Sequence, residues 1–544
     1  MKIVKVERLD HLGLVSSVIK DLQIVDMIDS RIKPDEQEEI TTGEAVAGMI
    51  INGLGFSNRP LSLTPQFFEN KPLDLFFREG VEASMFNRFK LGRSLDKVYQ
   101  YGCDSIFSEI ASSVCQQENI DIRFNSLDTT SFSLNGEYLP DTDEQAVLIT
   151  HGYSKDHRPD LKQVVLELMV SQDGGIPFIS KSWDGNTSDN QIFQERSAML
   201  LEEFKRSESP RYIIADSKLY NDNNAENLAA LEFITRIPQS IKQCQGLILE
   251  ALTFNHWSSF DDIRRYQCFE LQHYGISQRW IVVFSQAAYH RAETTLKKAC
   301  RKEKEAIDKQ LFHLQVKRFK TPKEASDALD QLADGWKYHK QTQIALTKHE
   351  HYDTKGRPAA NTPVAFIDWQ IKCSFTADQE ILQHLQNYKA CFVLGTNIKP
   401  EFLDNKEVIT GYAKQSKVEQ GFRFLKDPLF FVSSLFVTKP SRIQGLLMVM
   451  TLTLLVYSVV QRRLRQKLEE RNETIPNQIR QPTKKPTMRW VFQLMEGIHR
   501  VIYFQNGKKE TMIEALKDIH INILKLLGVN ACQIYQIPPG QEAA

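Results

Sequence analysis

Residues 123–136 read RFNSLDTTSFSLNG, and the fold class turns on them. Upstream, apolar residues recur every three or four positions. From Phe124 to Phe132 the period shortens, and the run closes on the turn pair Asn135-Gly136, which predicts a strand. Runs of the same kind follow at Ala146 to His151, Val164 to Val170 and Tyr212 to Ala215, separated by the turns Asp173-Gly174-Gly175 and Asp184-Gly185. A helical stretch from Asn190 to Phe204 precedes the last of them. Three strands, a helix and a fourth strand imply an α/β mixed sheet with flanking helices. A strand at Glu232 to Ile237 and a helix to about Leu252 extend it, so the first part of this core is placed at residues 122–252.

Working outward, residues 1–121 form a helical N-terminal module. Leu12, Val15, Val18 and Ile19 share one face, and Thr41, Thr42 and Glu44 have the chemistry to start the helix carrying Ala45, Met49, Ile50 and Leu54. Residues 253–388 interrupt the sheet and read as an inserted α+β domain. It has strands at Tyr266 to Leu271 and Arg279 to Phe284, a charged helical pair from Tyr289 to about Lys340, and extended segments around Gly356 to Lys372. The core resumes at 389–461 with the strand Ala390 to Thr396 (ACFVLGT) and a helix from near Asn405 through Glu419 to Lys426. It ends on the uncharged run IQGLLMVMTLTLLVYSVVQ. That run is long enough to span a bilayer. Gln444, Gly445, Thr451, Thr453 and Ser458 dilute it, so it is read as a buried helix and no membrane is expected. Residues 462–544 form a basic linker broken by Pro476, Pro482 and Pro486, then a helical tail from Trp490 to Leu527.

The 544 residues carry 68 Lys+Arg and 68 Asp+Glu, a net charge of zero that excludes a uniformly basic protein, and 42% hydrophobic content excludes disorder. Charge is instead local. Arg291 to Lys320 has ten basic and four acidic residues, and Arg462 to Arg489 has nine and three. Either is a candidate phosphate-backbone surface. The eight cysteines are scattered without a CxxC pair, which predicts reduced thiols, a cytoplasmic location and no structural zinc.

No GxSxG, HExxH or Walker loop is present. Carboxylates remain: Asp128 in the first strand, Asp216 directly after the fourth, and Glu419 on the helix after ACFVLGT. Three acids gathered at one sheet edge suit two hard divalent cations, which take oxygen ligands and act on phosphodiesters. Glu419, Arg423 and Lys426 lie along one helix face at three and four residue spacing.

The strings LDTTSFSLNGEY, HGYSKDHRPDLKQ, GIPFISKSWDGNTSD, ADSKLY, FITRIP, GYAKQSKVEQGFRFLKDP, TKPSRIQGLL and PTMRWVFQLMEGI together resemble the DDE transposases of bacterial insertion sequences. The resemblance is to the subgroup with a Tyr-Arg-Glu-Lys signature and a domain inserted before the catalytic Glu. It covers most of the chain from about residue 120. It implies an RNase H-like core with Asp128, Asp216 and Glu419 as catalytic metal ligands for two Mg2+ ions, Mn2+ being able to substitute. It further implies double-stranded DNA partners, namely terminal inverted repeats and target DNA, and a homodimer on paired ends. Tyr412, Glu419 and Lys426 match the signature, but Gln415 stands at its Arg position. Arg423 is the candidate replacement, because a guanidinium grips two phosphate oxygens where an amide does not. Lys155, Arg158 and Lys162 are further candidates for DNA contact, as is Trp257, by stacking on an unpaired base. His151 and His157 are read as local hydrogen-bond partners, and Asp156, Asp160, Asp184 and Asp189 as turn and capping residues. The rival reading is a catalytically silent DNA-binding relic, to which Gln415 points.

Overall fold

The structure, a computed structural model, describes residues 2–57, 60–139, 141, 143–205, 211–215, 217, 220–353, 356–427 and 437–538. Among these residues a nine-stranded sheet forms the centre. Its order is Pro177–Trp183, Lys162–Ser171, Phe124–Leu134, Tyr212–Ala215, Phe233–Arg236, Cys391–Thr396, Ile276–Ser285, Arg264–His273 and Ser258–Asp261. The strands at Phe124, Tyr212 and Phe233 are parallel neighbours, and the remaining pairings are antiparallel. This is an α/β architecture with a large mixed sheet and flanking helices.

One expected strand is replaced by another. Ala146 to His151 does not join the sheet beyond an isolated bridge between Thr150 and Gln163. Val147 and Ile149 are buried, as their pattern predicts, but side chains take up the backbone. Gln444 accepts from the Val147 N–H at 3.0 Å and Asp184 from the Leu148 N–H at 2.7 Å. Such side-chain partners compete with a ladder. The edge position goes to Pro177–Trp183, where a leading proline is tolerated.

The segment 253–388 is woven into the sheet, because Ile276–Ser285 pairs with Cys391–Thr396 from Cys391↔Phe284 to Thr396↔Arg279. Its helices Gln286–Val316 and Pro322–Ala333 and the strand pair His339–His351 with Phe366–Ala377 enclose a separate apolar cluster around Ile307, Leu311, Leu329 and Ile371.

The N-terminal region is helical as expected, and the Thr42–Leu54 helix starts on a reciprocal capping box between Thr41 and Glu44. Two features depart from the sequence reading. Lys2–Arg8 is a strand, and it pairs with His499–Gln505, which pairs with Lys508–Glu514. The tail is therefore helical at Met488–Leu494 and Asp518–Leu527 but carries a hairpin between. Asn506 and Gly507, both at positive φ, make its turn in the sense that two-residue hairpins favour.

The Pro440–Glu470 helix is the one described helix long and apolar enough to cross a membrane, and 89% of its apolar window is buried inside the protein. The hydroxyls of Thr451 and Thr453 donate back to Leu447 O and Val449 O at 2.9 and 2.8 Å, which satisfies the polar atoms that burial would otherwise penalise. Around this helix one apolar cluster gathers the N-terminal helices, one sheet face and the C-terminal region. Arg463, mostly buried, ties these parts together through Asp21 at 2.5 Å and Glu118 at 2.6 Å. All eight cysteines are free.

Candidate active site

Asp128 lies near the middle of the Phe124–Leu134 strand, half-buried, with its Oδ1 accepting the Thr129 N–H at 2.7 Å. Side chains alternate along this strand. Leu127 faces one apolar cluster, while Phe132 and Leu134 face the cluster that holds Val418 and Phe422 of the Ser416–Leu425 helix. Asp128, two and three pleats from Phe132 and Leu134, is on that helix-bearing face.

Register relates the row across the sheet. Phe124 pairs with Tyr212, Asn125 with Ile213 and Ser126 with Ile214, a constant offset of 88 residues. Asp128 and Asp216 have the same separation, 216 − 128 = 88. Asp216 itself lies outside the described residues, and described pairing of its strand ends with Ala215↔Thr235. The next position on the Phe233 strand is Arg236, which pairs with Leu394.

Glu419 is exposed on the Ser416–Leu425 helix. A Cβ added to Gly411 would lie 3.5 Å from Phe124 and Ile214, and Lys426 Nζ is 5.4 Å from the Phe132 ring. The backbone from 411 to 426 thus tracks the strand from 124 to 132. Among the described residues no three His, Cys, Asp or Glu side chains form a metal-holding group. The two described acids are nevertheless carried by elements that pack together, the Phe124–Leu134 strand and the Ser416–Leu425 helix, and they offer the all-oxygen donors that hard divalent cations take.

Cations lie on both faces of this strand: Lys426 on that of Asp128 and Phe132, Lys155 on that of Leu127 and Thr129. Lys155 Nζ donates to Thr129 O and Oγ1, both at 2.6 Å, and pairs with Asp189 at 3.1 Å; this places it one residue from Asp128. Lys426 pairs with Asp156 at 2.6 Å. Arg158 is held by Asp160 at 2.8 Å, and Lys162 donates to Tyr138 O at 3.0 Å, so both point into local structure. Asp184 caps the Leu148 N–H. The four acids read as turn and capping residues all have partners within the chain.

Glu419, Tyr412 and Gln415 line a cleft of about 580 Å³ together with Arg236, Arg264 and Arg291. Arg423, the expected stand-in for the missing signature arginine, is elsewhere. It lines a different cleft with Lys417, Arg465 and Arg489, one turn of helix, about 6 Å, along the axis from Glu419. Burial there, with Arg465, Lys414 and Lys485 close by, lowers the pKa of Lys417.

Trp257 is not brought to the carboxylates. It precedes the edge strand Ser258–Asp261, six strands from that of Asp128, or roughly 29 Å at about 4.8 Å per strand. There it meets Phe284 edge-on and has Arg265 over its ring at 4.9 Å. Much of the positive charge of the stretch 462–489 is matched within the chain. Arg462, Arg463, Lys467, Lys484 and Arg489 each pair with a carboxylate.

Sequence reasoning missed Arg236 and Arg264, and it set Arg291, which opens the basic stretch 291–320, away from Glu419. Arg236 was visible inside FITRIP, one strand beyond Asp216. Arg264 carried no local signal, since long-range pairing of the inserted strands delivers it.

Residues 122–456, more than half the chain, match the family described as "Transposase DDE domain", and the chain belongs to that family: it is a DDE transposase. Residues 4–112 match a "Domain of unknown function (DUF4277)". No curated protein matches the chain. Among solved structures the chain is similar to the piggyBac transposase in a synaptic complex with hairpin DNA. The identity is 9% and the TM-score 0.37, with 89% of this chain and 79% of that chain covered, a likeness too distant to carry structural detail.

Proposed function

We propose that this DDE transposase serves an insertion sequence, with an RNase H-like core that cuts DNA at terminal inverted repeats and joins the freed ends to target DNA. In the first step a water oxygen bonds to phosphorus and the 3′-oxygen leaves. In the second, that 3′-hydroxyl attacks a target phosphodiester, and the target's own 3′-oxygen leaves. No protein nucleophile is needed. The observation that supports the reading is the parallel pairing of the Phe124–Leu134 strand, which bears Asp128, with Tyr212–Ala215, the strand that Asp216 follows in the sequence.

DDE transposases act with divalent metal ions. Asp128, Asp216 and Glu419 would hold two of them, Mg2+ or Mn2+, which supply an activated water and a stabilised leaving oxygen. Lys426 and Tyr412 position the DNA end, and Lys155 fixes the backbone beside Asp128. Any DNA contact by Trp257, Arg158 or Lys162 falls outside this centre. Paired ends call for two copies of the chain.

The test is cleavage of a duplex taken from the DNA bordering the coding region. Asp128→Asn is expected to abolish metal-dependent nicking while the protein still binds, and nicking that persists refutes the assignment. The silent DNA-binding reading draws on the buried Gln415. End binding by the unaltered chain without nicking, in Mg2+ and in Mn2+, would favour it.

A further inference from the structure

Three arginines from distant segments meet in the cleft beside Glu419. Arg236 ends the Phe233–Arg236 strand, exposed, with its guanidinium 5.5 Å from the Phe392 ring. Arg264 opens the strand Arg264–His273. It is pinned by Asp261 at 2.6 Å and lies over Phe260 at 4.3 Å. Arg291 stands in the second turn of the Gln286–Val316 helix, also exposed. Among the described residues neither Arg236 nor Arg291 pairs with a carboxylate. Gln415, mostly buried in the same wall at 8% exposure, contributes no charge.

Guanidinium groups gathered at one wall repel each other unless an anion joins them, and their planar forks match phosphate oxygens. We propose that Arg236, Arg264 and Arg291 form a phosphate-binding subsite that grips the DNA backbone next to Glu419, supplying the positive charge that position 415 lacks. All three lie between Asp216 and Glu419 in the sequence, and two of them, Arg264 and Arg291, belong to the inserted segment 253–388, so this segment helps build the DNA site. The inference rests on the transposase reading of Glu419. Its ligand is the phosphodiester backbone, so the three arginines hold DNA without reading its sequence.

The test measures binding of the full chain to the bordering-DNA duplex across a salt series, with and without the triple change Arg236→Gln, Arg264→Gln and Arg291→Gln. For each phosphate neutralised by one fewer arginine, the slope of log affinity against log salt is expected to fall by about 0.9, so the triple variant drops by about 2 to 3. Affinity should fall about tenfold or more per arginine, in keeping with hydrogen bonds between charged groups. Lys525→Gln, an exposed lysine on the Asp518–Leu527 helix, should change neither. Adding Gln415→Arg to the triple variant should recover part of the missing slope.

A folded triple variant, judged by circular dichroism and gel filtration, that keeps the wild-type slope overturns the subsite. A lowered slope that Gln415→Arg leaves untouched overturns the claim that these arginines stand in for position 415. Failure of the transposase reading is separately visible, as nicking by Asp128→Asn, because the salt series requires no cleavage.

Discussion

Replacing Arg196 tests the scaffold beneath Asp128. Glu167 pairs with Thr129 across the strand ladder, and its fully buried carboxylate accepts Arg196 Nε at 2.6 Å, Nη2 at 3.0 Å and Trp183 Nε1 at 2.8 Å. Arg196→Met would leave this carboxylate with the indole and its cross-strand neighbour Lys181. Breaking one partner of a buried pair costs about 3–5 kcal/mol, and Lys181 argues for the lower end. The same loss should raise the pKa of Asp104 above its present value of about 6, which burial sets and Arg196 helps to restrain. Removing both charges with Glu167→Leu and Arg196→Met behaves differently. Apolar replacement of a buried pair is neutral or gains about 1–4 kcal/mol, while the orphaned Trp183 N–H costs about 1–3 kcal/mol, so the double variant should fall close to wild type. Urea unfolding of the full chain, followed by tryptophan fluorescence, reads both. A double variant as damaged as the single, or a single variant within about 1 kcal/mol of wild type, would refute the reasoning.

His11 should make folding acid-sensitive. Burial lowers its pKa from 6.5 to about 4, against a Leu54 carbonyl contact at 2.8 Å and a stacked Phe492. Because the folded value is depressed, this contribution is present in full above pH 6.5 and lost as pH falls toward 4. It amounts to roughly 3 kcal/mol at about 1.4 per unit. His11→Gln should flatten that part of the wild-type pH dependence in denaturation curves, and an unchanged slope would count against it. Gly185→Ala should destabilise the turn beside Lys155 by about 3 kcal/mol or more, since its Cβ would meet Gln163 O at 2.1 Å and Thr150 O at 2.6 Å, both backbone atoms; thermal unfolding gives the answer. Chelation should stop DNA nicking and added Mg2+ or Mn2+ restore it, measured on the same duplex; nicking that continues in chelator would exclude metal chemistry at these carboxylates.

Local chemistry was legible wherever a short run contained its own reason. The strands at Phe124, Val164 and Tyr212 followed from period and turn residues, and the Thr41 capping box from spacing. The burial of Ile443 to Val460 followed from polar residues that a bilayer would reject. Errors arose where a distant partner decides. Val147 and Ile149 alternate as a strand does, yet Gln444 and Asp184 take the backbone N–H groups of this segment. The Asn506-Gly507 pair was in plain view, but apolar residues at helical spacing on both sides masked its hairpin. Lys2–Arg8 gained its strand from a partner almost five hundred positions away. Of the proposed site, the acids and the basic stretch opening at Arg291 stand out in the sequence, whereas Arg264 does not, because nothing local distinguishes it from other surface arginines.

The long separation between Asp216 and Glu419 therefore has a structural meaning that length alone does not convey. A passive insert would leave Cys391–Thr396 at the edge of the sheet, with its outward N–H and C=O groups facing solvent and the Glu419 helix resting on an unsupported strand. Instead Ile276–Ser285 pairs along it from Cys391 to Thr396, and Ile281 and Val283 bury against the same cluster as Leu394, Val408 and Ile409. That cluster anchors the Asn405–Ala413 helix, which leads directly into the turn at Gln415 and the Ser416–Leu425 helix. The inserted strands support the helix of Glu419 indirectly, and Arg264, on the adjoining strand, and Arg291, on the helix that follows Ile276–Ser285, line the cleft with it. Placement of the carboxylate and supply of charge to its cleft are thus two results of one strand pairing, so a change that loosens the pairing should disturb both together.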